Sequence, residues 1–528
     1  MKILSIFAGH DANITFSDTE TGKYHIIEIE RLVKKRYFRL HVDNNKESIL
    51  DILSQCKNIS EKFWGFENDW DFLSFVTDGI LDVNEVGQVF KFKEVKHFSH
   101  QLCHAASTFY QSGFDKSLII SFDGGGDDGF FNVFLADESG INLVDKINCD
   151  FGGAYMLLAS CITEITKFSN HQLSLPGKMM GLCAYGKPDI QKSSIMGNFF
   201  IDRNYKRVSE LGNYDLLNVD RPWGDGSTKG PLNNYKFEGQ ESYDFAATSQ
   251  LAFENKFIEL LSGYLSKYQV ENICLTGGGA LNVLLNQRIK NDFVGKKLFI
   301  SPNPNDCGLS LGANFLTYRP GKNMNISYSG IPILDIEKKS ELLEGRKTRE
   351  LDLDYVCKLL KQGKIIGVCR GDSEVGPRAL GNRSIICDPS FENMKDIINS
   401  KVKFREWFRP FAPFCLKEQA NKYFESRDFE NFEFMSYAPL VKEDYRKKIP
   451  SITHIDGTAR LQTVTQESHQ FFYDLLNKFE KYSDTNVLLN TSFNIKGLPI
   501  LTSIKDSLYV LDNTELDCLI IENTIVEK

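Results

Sequence analysis

The sequence lacks several features that would place it in common classes. It has no run approaching the roughly 20 apolar residues that a bilayer crossing needs, so its 42% hydrophobic content is expected to build water-surrounded cores. It has no excess of positive charge: 62 Lys and Arg against 70 Asp and Glu leave −8. That balance argues against a broad nucleic-acid surface and against membrane binding, and leaves room only for a local basic cleft. Its 12 cysteines contain no Cys-x-x-Cys pair, and Cys161, Cys183, Cys274, Cys369 and Cys518 lie in apolar segments. They read as small buried residues in a reducing compartment, not as disulfides or a zinc site. The opening Met1-Lys2-Ile3-Leu4-Ser5-Ile6-Phe7-Ala8 is too short for a signal peptide and runs straight into a Gly9-His10-Asp11 turn, so a cytoplasmic protein is expected.

What the chain does have is length and alternation. At 528 residues it exceeds what one core can hold, so two or three domains are expected. Strands are expected over residues 2–7, 13–17 and 25–29, with a helix over 46–56. The outline then recurs, with strands over 118–122, 130–135 and 141–147, helices over 155–167 and 242–268, a strand over 272–276 and a helix over 280–289. The recurrence is one of topology rather than of sequence, and it describes two related α/β lobes. Residues 320–345 turn irregular and then charged, as a linker does. A new α/β pattern opens with a helix over 355–361 and a strand over 365–369, so the expected domains are 1–335 and 350–528.

His100 and His104 stand four residues apart in a stretch that favours a helix. That spacing puts both imidazoles on one face, about 5–6 Å apart at Cβ, which suits joint ligation of a metal ion; two ordinary surface histidines are the simpler alternative. The next segment ends in Asp123-Gly124-Gly125-Gly126-Asp127-Asp128-Gly129. Its Gly-x-Gly-x-x-Gly spacing opens a strand and not a helix, which removes the dinucleotide-fold reading. Asp123 and Asp127 also lack the spacing of a calcium loop. Together with Gly9 and with Gly277-Gly278-Gly279, which precedes a helix, these turns can present backbone N–H groups to a phosphate. Three such turns across two like lobes resemble the nucleotide cleft of actin, heat-shock chaperone ATPases and sugar kinases. Asp306 sits at an expected helix start, where an N-cap is its simplest role. Grouped with His100, His104 and Asp123 it makes a two-His, two-carboxylate set suited to Fe2+, Mn2+ or Zn2+, able to polarise a carbonyl or activate a hydroxyl.

The second half mixes cations with glycine, proline and phenylalanine. It carries Arg370 to Ser384, with Gly376-Pro377-Arg378-Ala379-Leu380-Gly381-Asn382-Arg383-Ser384 at its end, then Lys403-Phe404-Arg405-Glu406-Trp407-Phe408-Arg409-Pro410-Phe411-Ala412-Pro413. Arg460 and the Ser492-Phe493-Asn494 run follow. A solvated basic face would not bury its cations among such residues; a cleft that grips a compact polyanion by bidentate contacts would.

With these blocks in view, the chain resembles the NodU/CmcH family of O-carbamoyltransferases over nearly its whole length. The shared blocks fall in family order: Gly9-His10-Asp11-Ala12, Glu30-Arg31, the His100–His104 helix, Asp123-Gly124-Gly125, Pro176-Gly177-Lys178-Met179-Met180-Gly181-Leu182, Thr276 to Asn282, Asp306 and the C-terminal runs. The resemblance implies a two-lobed, actin-like (ASKHA) α/β N-terminal domain, similar to the tRNA threonylcarbamoyl-transferase catalytic subunit, followed by a YrdC-like α/β domain. Lys403-x-Arg405 and Ser492-x-Asn494 look like the nucleotide signature of YrdC proteins. By the same resemblance, carbamoyl phosphate and ATP with Mg2+ would be converted there to carbamoyl adenylate, gripped by Arg378, Lys403, Arg405, Arg409, Arg460, Ser492 and Asn494. The N-terminal half would transfer the carbamoyl group to a hydroxyl, with the adenylate on Gly124, Gly125, Gly277, Gly278, Gly279 and Asn282. A metal, iron foremost, would sit on His100, His104, Asp123 and Asp306, with His10 near the acceptor; His10, Lys403 and Ser492 are the implied catalytic residues. Family members often carry histidine where this chain has Gln101, which at the next helix position is expected to face elsewhere and leave the metal set intact.

Two other readings stay open at this point: a threonylcarbamoyl-type tRNA-modifying enzyme, and a non-catalytic nucleotide-binding regulator. The acceptor is a sugar, a natural product, or a hydroxymethylated nucleoside or base. Residues 202–243, aromatic and glycine-dotted around Pro222-Trp223-Gly224-Asp225-Gly226, are the expected cover of its pocket. A homodimer is expected on general grounds.

Overall fold

The computed structural model describes residues 1–40, 46–77, 81–169, 171–201, 237–321 and 324–528. The expected acceptor cover falls mostly on residues 202–236, outside the described set.

The first half contains two five-stranded sheets. One comprises β1 (Lys2–Phe7), β2 (Asn13–Asp18), β3 (Lys23–Glu28), β4 (Trp70–Val76) and β5 (Phe92–Phe98), in the order β3-β2-β1-β4-β5. The other comprises β6 (Ser117–Gly126), β7 (Gly129–Asp137), β8 (Gly140–Ile147), β9 (Asn272–Thr276) and β10 (Lys297–Phe299), in the order β10-β9-β6-β7-β8. In each, an antiparallel meander of three strands is extended by two parallel ones. The register matches as well: residues 3–6 of β1 lie opposite 72–75, and residues 118–121 of β6 opposite 273–276. The repeat seen in outline is therefore realised strand for strand. β4 and β5 carry no clear strand pattern in the sequence: β4 interrupts its apolar residues with Asp71 and Ser74, and β5 is a largely exposed, charge-rich edge strand.

Between the sheets run two packed helices, His100–Ser112 on β6 and β9 and Leu309–Thr317 on β1 and β4. They cross so closely that a Cβ at Gly312 would stand 1.9 Å from the carbonyl oxygen of Cys103, so only glycine fits there. The later helix is also keyed to the first sheet by polar contacts: Thr15 Oγ1 lies 2.7 Å from Ser310 Oγ, and Ser17 donates to Asn314 at 2.9 Å.

The C-terminal half is built on an eight-stranded mixed sheet. Its strands are β11 (Thr348–Glu350), β12 (Ile366–Cys369), β13 (Arg383–Cys387), β14 (Ala412–Leu416), β17 (Gln462–Val464), β18 (Val487–Ser492), β19 (Cys518–Ile521) and β20 (Thr524–Glu527); β15 (Phe424–Glu425) and β16 (Leu440–Val441) form a separate small hairpin. The order is β11-β20-β19-β12-β13-β18-β14-β17. Both faces are buried, as the alternation of side chains requires. Leu488, Ile386 and Phe414 join a core with helices Leu353–Lys361 and Gln470–Phe479, while Val487, Leu489, Ile385 and Cys415 enter a core that continues into the N-terminal half through Phe122, Phe151 and Phe257. The expected linker is accordingly no free tether: Ile331 and Ile333 are buried, Ile26 donates to the Ser329 carbonyl at 2.8 Å and Leu334 to that of Thr502 at 3.0 Å. Ahead of its charged stretch, Ile326 and Ile333 enter cores that also hold residues of the C-terminal half, Val375 and Ile385 among them, while Ile331 enters the core of the first sheet.

No helix among the described residues is long and apolar enough to cross a membrane.

Candidate functional site

His100 and His104 open the helix His100–Ser112 and share a face, as their spacing predicts. Asp123 sits in β6 where its regular pairing with β7 breaks, and Asp306 begins the short turn that leads into Leu309–Thr317. The four side chains converge. His100 Nε2 and His104 Nε2 each lie 3.1 Å from Asp123 Oδ2, and 3.7 and 3.4 Å from Asp306 Oδ1. One donor atom from each residue falls within 4.8 Å of all the others, and all four residues are buried. Asp306 does not cap its helix; it faces the histidines.

The electrostatics suit a cation. Burial alone would favour neutral carboxyls, yet His100 and His104 hold Asp123 well below the usual carboxylate range, and His10, His100 and His104 lower Asp306. Burial opposes charge on His104, but Asp123 and Asp306 outweigh it and raise its pKa to about 9. Both ring nitrogens of His104 are buried without a well-formed hydrogen bond. Two carboxylates and two imidazoles aimed at one point, with an orphaned nitrogen among them, is a donor set that a divalent ion would satisfy. His10 stands at the rim: Nε2 is 3.3 Å from Asp306 Oδ2 and Nδ1 is 3.2 Å from Asp11 Oδ2. Burial works against its charge too, but Asp306 and Asp11 raise its pKa to about 9.

The supporting contacts were not legible in the sequence. Ser99, at the N-cap of the histidine helix, makes no side-chain cap. The cap comes from the β6–β7 hairpin, whose Asp127 Oδ1 accepts from the His100 N–H at 2.9 Å and whose Asp128 Oδ1 accepts from the Gln101 N–H at 2.8 Å. One hairpin thus carries Asp123 at its base and grips the helix of His100 and His104 at its tip. Gln101 does not face away: its Nε2 donates to Asp123 Oδ1 at 2.9 Å and its Oε1 accepts from Ser121, so it orients the carboxylate, as partners behind metal ligands do. Asn13 Nδ2 pins the carbonyl of Asp306 at 2.8 Å.

The second cluster is cationic. Lys403 is 4% exposed, and its Nζ donates to the carbonyls of Ser492 at 2.6 Å and Asn494 at 2.8 Å, and to Asn494 Oδ1. Ser492 Oγ donates to Asn494 Oδ1 at 2.7 Å, so the two paired motifs form one knot. Arg405 Nε donates to Asn399 Oδ1 at 2.8 Å and its guanidinium lies 4.6 Å from the centre of the Phe411 ring. Burial first, then Arg405, Arg409 and Arg36, depress the pKa of Lys403; burial, Arg378, Arg409 and Arg405 do so for Arg460. Arg378 is brought down to about 10 by burial, Arg409 and Arg36. Among the described residues, Arg409 alone of these five cations has an ion pair, with Glu406 at 3.6 Å. Five cations packed this closely, with Glu406 as their ion-pair partner among the described residues, mark a polyanion site.

Two family models match the chain: one described as "Carbamoyltransferase N-terminus" over residues 10–315 and one described as "Carbamoyltransferase C-terminus" over residues 357–528. The chain belongs to the carbamoyltransferase family. Among similar proteins, the nodulation protein NolNO of Sinorhizobium fredii is 32% identical over 448 residues, 82% of this chain and 64% of that protein. The nodulation protein NolO of Bradyrhizobium diazoefficiens is 32% identical over 449 residues, 81% of this chain and 79% of that one. The nodulation protein U of Azorhizobium caulinodans is 29% identical over 476 residues, covering 86% and 82%. A crystal structure of full-length HypF in the phosphate- and nucleotide-bound form is distantly similar, covering 61% of this chain and 56% of its own with a TM-score of 0.35 at 12% identity.

Within this carbamoyltransferase-family chain, the four expected ligands and His10 come together, as do Arg378, Lys403, Arg405, Arg409, Arg460, Ser492 and Asn494. The glycines divide. Gly124 and Gly278 border open space beside Asp123, where an added Cβ would meet nothing nearer than 3.8 Å, while Gly125 packs against Phe130 and Gly277 and Gly279 against Phe122. Asn282 caps the helix Val283–Asp292 through Leu285 N–H at 3.1 Å and pairs with Gln250. Two unforeseen residues join the cationic cluster from the N-terminal half. Arg36 adds to the positive field at Lys403, Arg378 and Arg409, and Lys178 pairs with buried Glu406 at 2.8 Å. Nothing in the sequence pattern linked positions so far apart.

Proposed function

We propose that the chain is an ATP-dependent O-carbamoyltransferase that activates the carbamoyl group at the Lys403 cluster and transfers it beside the His100–His104 pair. The observation that carries this reading is the coexistence, in one family member, of a pocket in which cations outnumber their counter-charges and a separate buried two-His, two-carboxylate set. The duplicated strand order supports an actin-like (ASKHA) domain over 1–335, and a YrdC-like domain over 350–528 is read from the Lys403/Arg405 and Ser492/Asn494 motifs.

In activation, one water converts carbamoyl phosphate to carbamate and phosphate. A carbamate oxygen then attacks the α-phosphorus of Mg2+-bound ATP, and pyrophosphate leaves. Arg378, Arg405, Arg409 and Arg460 offset the charge gathering on the leaving group, and Lys403, held by Ser492 and Asn494, fixes the nucleophile against it. In transfer, the acceptor oxygen attacks the carbamoyl carbon, the bond from that carbon to the AMP phosphate oxygen breaks, AMP leaves with the bonding pair and takes up the hydroxyl proton on its phosphate, and His10, held between Asp306 and Asp11, orients the acceptor. A divalent ion held by His100, His104, Asp123 and Asp306, Fe2+ foremost with Mn2+ and Zn2+ as alternatives, would supply Lewis-acid stabilisation of the carbamoyl oxygen. Gly124 and Gly278 leave room for the adenylate's backbone contacts.

The test is ATP–[32P]pyrophosphate exchange. It should require carbamoyl phosphate and fall at least about a hundredfold in Lys403→Ala, the scale of losing a positioned charge. Full exchange in that variant would remove the proposed activation site. Mass spectrometry of a panel of sugars, natural products and hydroxymethyl nucleosides, scored for a carbamate gain, identifies the acceptor.

A further inference from the structure

The seam between the halves is largely apolar, but buried charges cross it, at Lys178–Glu406 and again where β3 ends. Glu28 ends β3 and Arg31 lies three residues on; their side chains are 7% and 2% exposed, with Arg31 Nη2 2.9 Å from Glu28 Oε2. The rest of the guanidinium reaches the C-terminal half. Nη1 donates to Ser373 Oγ at 3.1 Å and to the Glu374 carbonyl at 2.5 Å, and Nη2 donates to the Gly376 carbonyl at 2.7 Å. Glu28 Oε1 accepts from the Gly376 N–H at 2.6 Å, so the pair holds both backbone groups of that residue. Gly376 has φ +99°, and a Cβ there would stand 2.2 Å from the carbonyl oxygen of Pro302, four residues before Asp306. Arg378 follows two residues later. The loop is closed from inside by Glu374, whose Oε1 accepts from the N–H groups of Leu380, Gly381, Asn382 and Arg383 at 2.8, 2.7, 2.7 and 3.1 Å.

A buried ion pair is a poor source of adhesion, because desolvating both charges consumes most of their attraction. The seam already has a continuous apolar core to hold it. What a planar guanidinium adds is direction, since several fixed acceptors must be met at once. The geometry points to a positioning role: the Glu28–Arg31 pair, closed on Gly376, keeps Arg378 of the activating cluster in register with the loop that carries Asp306. Without the pair, Glu374 still closes the Arg378 loop within the C-terminal half, so the activating cluster would stay whole but lose register with the Asp306 loop, and the activated carbamoyl group would escape to water without its formation being stopped. This rests on the two-step reading above. In the escape reaction, water oxygen adds to the carbamoyl carbon and the bond from that carbon to the AMP phosphate oxygen breaks. AMP leaves with the electron pair, carbamate remains, and two protons pass to solvent.

The test needs no acceptor. Wild-type protein and the double variant Glu28→Gln/Arg31→Met, which removes both charges and leaves none unpaired, are given ATP, carbamoyl phosphate and [32P]pyrophosphate. The expected result is exchange within about twofold of wild type and AMP release at least about tenfold faster, the scale on which one such contact acts. A simple structural role would lower both together. Unchanged AMP release with unchanged exchange overturns the inference, and so does a folded variant that loses exchange, since the pair would then serve activation itself. If the double variant does not fold, Arg31→Lys, which keeps its charge against Glu28 but cannot span Ser373, Glu374 and Gly376 together, is read in the same way. Failure of the two-step reading looks different: wild-type exchange would not depend on carbamoyl phosphate.

Discussion

At the scale of single residues, helical spacing made the two-His, two-carboxylate cluster readable. His100 and His104 were paired by a four-residue interval, and Asp123 and Asp306 were marked by strand ends and by family blocks. Gln101 departs from the expectation that it faces away from the cluster, for a physical reason. Its Cα does lie off the histidine face, but its side chain is long enough to reach back over the β6–β7 hairpin to Asp123, and no periodicity argument sees a contact made across elements. Gln101→Leu should retain the fold and weaken metal binding about ten- to hundredfold by competition with a chelator, the range found when partners behind a ligand are removed. His469 offers a residue-scale test of stability. Burial brings its pKa down to about 4, and its Nε2 lies 3.0 Å from Asn382 Oδ1 in the Arg378 loop. A histidine whose folded pKa is depressed lends stability that is full above the unfolded value of about 6.5 and is lost as pH falls toward 4. The urea midpoint should therefore drop across that window, and His469→Gln should flatten the drop by on the order of 1–2 kcal/mol.

At the scale of elements, the meanders β1–β3 and β6–β8 followed from alternation and glycine turns, whereas β4 and β5 followed from neither. Their place is decided by pairing with β1, a tertiary fact. The same holds for the hairpin clip. Asp127 and Asp128 read locally as turn residues, and only the fold brings them to the amide groups of His100 and Gln101. Asp127→Ala/Asp128→Ala should lower metal affinity about tenfold or more while leaving pyrophosphate exchange intact; the corresponding asparagine pair, which keeps the acceptor oxygens, should restore most of it. Equal affinity in the alanine pair would show the clip to be dispensable. The helix crossing at Gly312 is a stricter demand. Gly312→Ala forces a methyl against the Cys103 carbonyl and should destabilise the protein by about 1–3 kcal/mol, the usual result of overpacking, seen as a lower thermal midpoint.

At the scale of the whole molecule, the two halves were legible as separate α/β patterns, but their joining was not. The charged composition of residues 337–347 suggested a tether, while the structure runs one apolar core through both halves and pins them with Lys178–Glu406 and Glu28–Arg31. Joined halves still permit divided chemistry, and that division is the central claim: activation at Lys403 and its arginines, transfer at His100, His104, Asp123 and Asp306. The measurement that tests it most directly compares both reactions before and after removal of the transition metal, in the presence of Mg2+. Carbamoyl phosphate-dependent ATP–pyrophosphate exchange should survive chelation within about twofold, while carbamate formation on an acceptor found in the screen should fall about a hundredfold or more and return when Fe2+ is restored. If exchange and transfer fell together, or if transfer survived chelation, the assignment of the two sites to two steps would be contradicted.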